Sequence, residues 1–300
     1  MLLVSPRATY FKPMKIRSQT CSKYLHEEDQ EEANRQNEDA FFVFDEEKKK
    51  TRIALSDGAG GMGLFAADWS NQLVYNLPQK PFKNAEELSN WIESFWEQFY
   101  DRYSQKAKEL GSDYQNKFTE QGSAATLVGL WQNKTHFDWV TYGDSCLSIF
   151  SKNNSKKDTK KDNFQMFPYK KPSDFLNYPY LINVQEECVK EGFRNGSFDV
   201  EKDKIDFVIL TSDALSLYIL MKVWQFEKPN EFLDLTKEKS KLAELAKKIN
   251  ELEKPISTTD LLKNLWNNLE TKEIFEKWCY KKYQNGVLES DDYTCILVEI

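Results

Sequence analysis

Five of the seven strand-like segments in this chain begin or end on an acidic residue, and that pattern restricts the fold more than any other feature. Runs rich in β-branched and aromatic residues cover 40–44, 51–55, 125–131, 136–142, 147–150, 205–210 and 293–300. Glu38-Asp39 leads into the first and Asp57 follows the second. Asp144 follows the fourth, Asp213 the sixth, and Asp291-Asp292 leads into the last. Any one of these acids alone would be an ordinary turn or N-cap residue. Adjacent strands, however, bring such ends together, and unit charges about 4 Å apart repel by roughly 4 kcal/mol per pair at an effective dielectric near 20. A fold that gathers these carboxylates requires cations among them or raised pKa values.

The stretch after the second strand, Ser56-Asp57-Gly58-Ala59-Gly60-Gly61-Met62-Gly63, contains G-x-G-x-x-G and so raises a dinucleotide-binding alternative. That motif needs an apolar strand running straight into the first glycine, one helix before a second strand, and an acid about 20 residues on. Here the strand ends in Ser56-Asp57, and the next acids, Glu86 and Glu87, fall inside a second helical segment. A carboxylate at Asp57 would also repel a pyrophosphate. The same carboxylate suits a divalent metal, with glycines that let the backbone approach the ion and the Gly58 carbonyl as a further ligand.

Helical periodicity covers 64–77, 86–110, a segment after Ser212 carrying Leu217, Leu220, Met221 and Trp224, then 242–252 ahead of Pro255, and 258–280. Within 86–110 the stripe Leu88, Trp91, Phe95, Phe99, Tyr103 reads as core packing. Strands, two helices, strands, then helices and a last strand suit an α+β layered fold rather than a repeating βαβ wind.

Composition narrows the chemistry. The 300 residues carry a net charge of -7, with Lys and Arg interspersed among the acids, so there is no nucleic-acid footprint. The two histidines, His26 and His136, in very different contexts, exclude a His-rich metal site and argue against a histidine-based triad, leaving hard oxygen ligands that favour Mg or Mn. Five cysteines, odd in number and without C-x-x-C spacing, read as reduced thiols in a cytoplasmic protein. No apolar run approaches the roughly 20 residues that cross a bilayer, and the apolar patch before Pro6 is too short for a signal peptide, so no membrane partner is expected. The acidic segment 26–36 and the lysine-rich segment 151–163 read as solvated loops.

Six motifs in order, NEDAF (37–41), SDGAGG (56–61), GSAATLV (122–128), YGDS (142–145), ILTSD (209–213) and SDDYTCILV (290–298), resemble the metal-dependent type 2C protein phosphatases, the PPM family, in a bacterial-style form. The resemblance spans about residues 14–300. It implies a four-layer αββα sandwich, two mostly antiparallel sheets flanked by helices with a dimetal site at one end. The chain would be a single domain over 1–300, with 1–13 an N-terminal extension and 151–163 a lysine-rich insertion. It also implies that Asp57 bridges two Mn or Mg ions, with the Gly58 carbonyl on one of them. Asp213 and Asp291 then complete the other ion's shell, Glu38 and Asp39 hold the second ion directly or through waters, and Asp144 serves a weaker third ion.

The activity implied is hydrolysis of phosphoserine or phosphothreonine in protein substrates by a water that the metal pair activates, in partnership with a Ser/Thr kinase. Several positions depart from the pattern. Asn34 stands where many members carry a phosphate-gripping arginine, which leaves the neighbouring Arg35 as the candidate for that role. Ala59 replaces a histidine of animal relatives, Leu217 a third-metal carboxylate, Ala214 a glycine and Cys146 an arginine. These departures motivate an alternative expectation, a phosphatase-like regulatory or binding module with weak or no catalysis.

Overall fold

The computed structural model describes residues 14–23, 37–46, 50–151 and 163–300; Arg35 with the rest of 26–36, and nearly all of the lysine-rich segment, lie outside the described residues. Among those described, twelve strands run Lys15–Cys21 (β1), Ala40–Glu46 (β2), Lys50–Ser56 (β3), Ala124–Ala125 (β4), Leu127–Asn133 (β5), His136–Tyr142 (β6), Cys146–Ser151 (β7), Asn163–Phe167 (β8), Ile182–Asn183 (β9), Phe193–Asp199 (β10), Phe207–Thr211 (β11) and Tyr293–Glu299 (β12). The α-helices are Ala66–Tyr75 (α1), Ala85–Glu93 (α2), Trp96–Leu110 (α3), Ser112–Gln121 (α4), Asp213–Glu227 (α5), Pro229–Leu235 (α6), Lys241–Leu252 (α7), Thr258–Asn268 (α8) and Lys272–Gln284 (α9).

Ten strands form two five-stranded sheets, ordered β1-β12-β11-β7-β8 and β10-β6-β5-β3-β2, and every pairing in them is antiparallel. The period-2 alternation of each strand assigns its two faces to different cores. Ile53 and Leu55 of β3, Val128 and Leu130 of β5, Val208 and Leu210 of β11, and Ile296 and Val298 of β12 meet in one apolar layer between the sheets. Their neighbours face outward. Ala54, Leu127 and Trp131 pack against Trp69, Leu73, Leu88, Phe99 and Tyr103 of the first helices, while Ile209, Cys295 and Leu297 pack against α5, α7, α8 and α9. The order helix, sheet, sheet, helix is the αββα sandwich expected from the motifs.

Helix boundaries follow local capping chemistry. Asn84, Ser240, Ser257 and Thr271 accept hydrogen bonds from Glu87, Ala243, Asp260 and Ile274 backbone N–H groups, so α2, α7, α8 and α9 start where an orphan donor finds an oxygen. The Thr271 cap divides the expected 258–280 helix into α8 and α9. The expected 86–110 helix is likewise two, broken at Ser94-Phe95, with Ser94 Oγ donating back to the Trp91 carbonyl at 2.6 Å. No helix among the described residues is long and apolar enough to cross a membrane.

Antiparallel register places the acids singled out in the sequence at one end of the sandwich. Ala40 at the start of β2 pairs with Ser56 at the end of β3, and Leu55 pairs with Val128 near the start of β5. Leu127 pairs with Tyr142 at the end of β6, Cys146 with Thr211 at the end of β11, and Thr211 with Cys295 near the start of β12. Thus Glu38-Asp39, Asp57, Asp144, Asp213 and Asp291-Asp292 converge because starts and ends alternate across neighbouring strands.

Candidate metal centre

The loop after β3 is fixed before any acid is considered. Asp57 N–H donates to Thr126 Oγ1 at 3.0 Å, Thr126 N–H donates to the Asp57 carbonyl at 2.8 Å, and Thr126 Oγ1 lies 2.7 Å from Ser145 Oγ. Gly58 N–H donates to the Glu38 carbonyl at 3.1 Å, which ties this loop to the segment before β2. A Cβ at Gly58 would stand 2.7 Å from the Glu38 carbonyl oxygen and 2.9 Å from the Ala66 backbone, so only glycine permits that approach. The Gly58 carbonyl accepts from Gly60 N–H at 3.2 Å and keeps a second lone pair for another partner.

Glu38, Asp57, Gly58, Asp144, Asp213 and Asp291 line one cleft of about 210 Å³, together with Lys23 and Thr126. Asp39 lies behind them, 5% exposed, and neither of its carboxylate oxygens has a hydrogen-bond partner. The Ser212 and Thr294 hydroxyls come near enough to lower its pKa, but neither reaches it with the geometry of a hydrogen bond. Burial, then the charge of Asp292, push the Asp39 carboxyl up to about 8. A fully buried carboxylate with two unsatisfied oxygens is costly unless a cation meets it.

The neighbouring acids show the same stress. Burial pushes Asp57 and Asp213 well above the usual carboxylate range, although each is partly open to the cleft; the charges of Asp39, Asp213, Asp291 and Asp144 add to it at Asp57, and those of Asp291, Asp144 and Asp39 at Asp213. Burial brings Asp144 up to about 6 and also raises Glu38 and Asp291, where the Lys23 ammonium acts in the opposite direction. Lys23 Nζ sits 3.4 Å from Glu38 Oε2 and 3.7 Å from Asp291 Oδ1.

As they stand, no three His, Cys, Asp or Glu side chains among the described residues are gathered tightly enough to hold one ion. The carboxylates share a cleft and each other's fields without forming a closed shell, and Lys23 holds two of them. The donor set is otherwise well matched to Mg or Mn, being all oxygen, mostly anionic, and including one orphaned buried carboxylate.

Asp292 was not among the expected site residues, yet it orders the centre. Buried at 1% exposure, it accepts from Glu38 N–H at 2.7 Å on Oδ2 and from Lys23 N–H at 2.9 Å on Oδ1. Its signal in the sequence was only the doubling of the acid before β12. Leu217, on the second turn of α5, is buried in the apolar core, and Cys146 is buried with its thiol directed to the Asp144 carbonyl at 3.1 Å. Arg35 lies outside the described residues.

No protein-family model matches the chain, and no curated protein matches it in sequence. Solved structures do match. A bacterial serine phosphatase superimposes with a TM-score of 0.51 at 14% identity, over 96% of this chain and 98% of that one. The serine/threonine phosphatase Stp1 from Staphylococcus aureus gives the same TM-score and identity, over 96% and 95%. With both sheets, both helical layers and the acidic end in register with the motif order, the fold of this chain is that of the metal-dependent type 2C serine/threonine protein phosphatases.

Proposed function

We propose that the chain is a metal-dependent serine/threonine protein phosphatase hydrolysing phosphomonoesters. The observation that carries this reading is the Asp39 carboxylate, buried without a partner behind a cleft into which four separate segments send further acids. Asp57, the Gly58 carbonyl, Asp213 and Asp291 would hold one part of a pair of Mn or Mg ions, Glu38 and Asp39 the other, with Asp144 available to a weaker third. When bound, such a pair supplies Lewis acidity, making water a competent nucleophile near neutral pH and offsetting charge on the phosphoryl oxygens.

The chain's own groups hold and orient. The loop at Asp57 is clamped by Thr126 and Ser145, so its carboxylate meets the cleft in a preset direction. Asp292 fixes the Glu38 backbone, and Gly58 lets its loop lie directly against the Glu38 and Ala66 backbone. Neither described histidine nor cysteine faces the cleft, which supports water rather than a side chain as the nucleophile. Arg35 is the proposed phosphate grip. We read the whole of 1–300 as one catalytic domain, acting in the cytoplasm on phosphoserine or phosphothreonine proteins opposite a Ser/Thr kinase.

Two observations favour the second reading, a phosphatase-like binding module: Leu217 lies in the core, and an ammonium sits among the acids. The purified chain with Mn is expected to hydrolyse a phosphothreonine peptide and an aryl phosphate, and Asp57→Asn to abolish both. Absence of Mn-dependent turnover on either substrate, with the protein shown to be folded, refutes the phosphatase reading and leaves the binding module.

A further inference from the structure

We infer that Lys23 is a built-in counter-cation that competes with divalent metal for the cleft carboxylates and so sets how tightly this protein binds metal; the inference rests on the dimetal reading above. The placement of Lys23 is constructed rather than incidental. Its backbone N–H is held by Asp292 Oδ1, and the other oxygen of the same buried carboxylate holds Glu38 N–H. One side chain therefore fixes both the lysine and one of the acids it serves. The Lys23 side chain is only 20% exposed, and its ammonium turns into the cleft toward Glu38 and Asp291.

Those two acids belong to opposite sheets. Glu38 leads into β2 and Asp291 into β12, so the ammonium spans the gap between the layers at the acidic end. Its charge favours the ionised form of both acids, against burial. A divalent cation that takes Glu38 and Asp291 as ligands must displace the ammonium from them and then tolerate a unit positive charge nearby. Even with generous solvent screening, a fixed charge at such range weakens divalent binding by about tenfold or more. The lysine also supplies what the acidic cluster lacks when metal is scarce, a cation that keeps the fold intact. Metal-free protein is thereby stabilised while metal affinity is held down, so occupancy follows the metal concentration.

Calorimetric titration of Mn into the chelator-stripped full chain, its Lys23→Met variant and its Lys23→Arg variant tests this. Lys23→Met is expected to bind Mn about tenfold more tightly or better, with a lowered melting temperature when metal-free, and Lys23→Arg to match the parent in both. Equal Mn affinity in all three proteins overturns the inference, and equal affinity with a raised KM for a phosphopeptide in Lys23→Met reassigns the lysine to gripping substrate. Binding by Lys23→Met alone supports the competition in its strongest form. Folded parent and Lys23→Met proteins that both fail to bind Mn refute the dimetal reading itself, and the competition with it.

Discussion

Asp213→Asn is expected to raise the melting temperature of the metal-free protein while abolishing both its stabilisation by Mn and its turnover. Asp213 opens α5 at the end of β11, where Asp291, Asp144 and Asp39 all act on it and burial holds its carboxyl well above the usual range. In the metal-free fold at neutral pH that carboxyl is ionised only at a cost, or held protonated at a similar cost. The isosteric amide keeps the shape of the side chain and removes its charge, so the burden on the metal-free fold goes with it. The lost attraction between a carboxylate and the N-terminus of α5 opposes it by only about 0.3–1 kcal/mol. For a chain of this size each kcal/mol of net gain raises the melting temperature by roughly 2 °C.

The same change deletes an anionic ligand. Turnover is expected to fall by on the order of 10²-fold or more, since outer-shell substitutions alone reach that level. Stability gained where function is lost marks a residue kept for its chemistry. Scanning calorimetry with chelator and with Mn, beside a phosphopeptide assay, checks both halves. A lowered metal-free melting temperature would contradict the account, because the carboxylate would then be serving the fold rather than waiting for a cation.

The second large effect is a reversal of pH dependence. Asp39 and Asp144 have folded pKa values of about 8 and about 6 against an ordinary 3.8. A raised carboxyl binds more protons folded than unfolded between those two values, so stability falls as pH rises through the window, by up to about 1.4 kcal/mol per pH unit for each group. Their contribution is therefore greatest below the ordinary value and is lost by about pH 8 for Asp39 and about pH 6 for Asp144. Metal-free protein is expected to melt at a higher temperature on going from pH 8 to pH 6, the range over which Asp39 gains its proton. Mn-loaded protein is expected to do the opposite, because protons and metal compete for the same oxygens, and the acid limb of activity moves lower with added Mn. Parallel curves with and without Mn would show that these carboxyls do not exchange protons for metal.

The gathering of acids at one end of the sheets was legible in the sequence because its signal is local and repeated. An acid at the start or end of each of five strands is visible residue by residue, and antiparallel pairing then gathers those acids without further information. What escaped notice depends on partners distant in sequence. Lys15–Cys21 has few β-branched residues and becomes β1 only by pairing along its whole length with β12. β10 contains Asn195-Gly196, ordinarily a turn signal, but a Cβ at Gly196 would stand 2.6 Å from the Trp139 ring, so the glycine makes room for a side chain on the adjacent strand. Lys23 lies in none of the six motifs, and Asp292 stands in SDDYTCILV with no role assigned to it there. Their roles arise from a hydrogen bond across 269 positions of chain, which no local pattern encodes.

The central claim is that acids from distant strand ends are collected to receive divalent cations. Diffraction from Mn-soaked crystals at the manganese absorption edge tests it most directly. The account predicts anomalous peaks inside the cleft, in contact with the Asp57 carboxylate, and their disappearance in Asp57→Asn crystals. A cleft without anomalous signal at saturating Mn, or the same peaks in the Asp57→Asn protein, would contradict it.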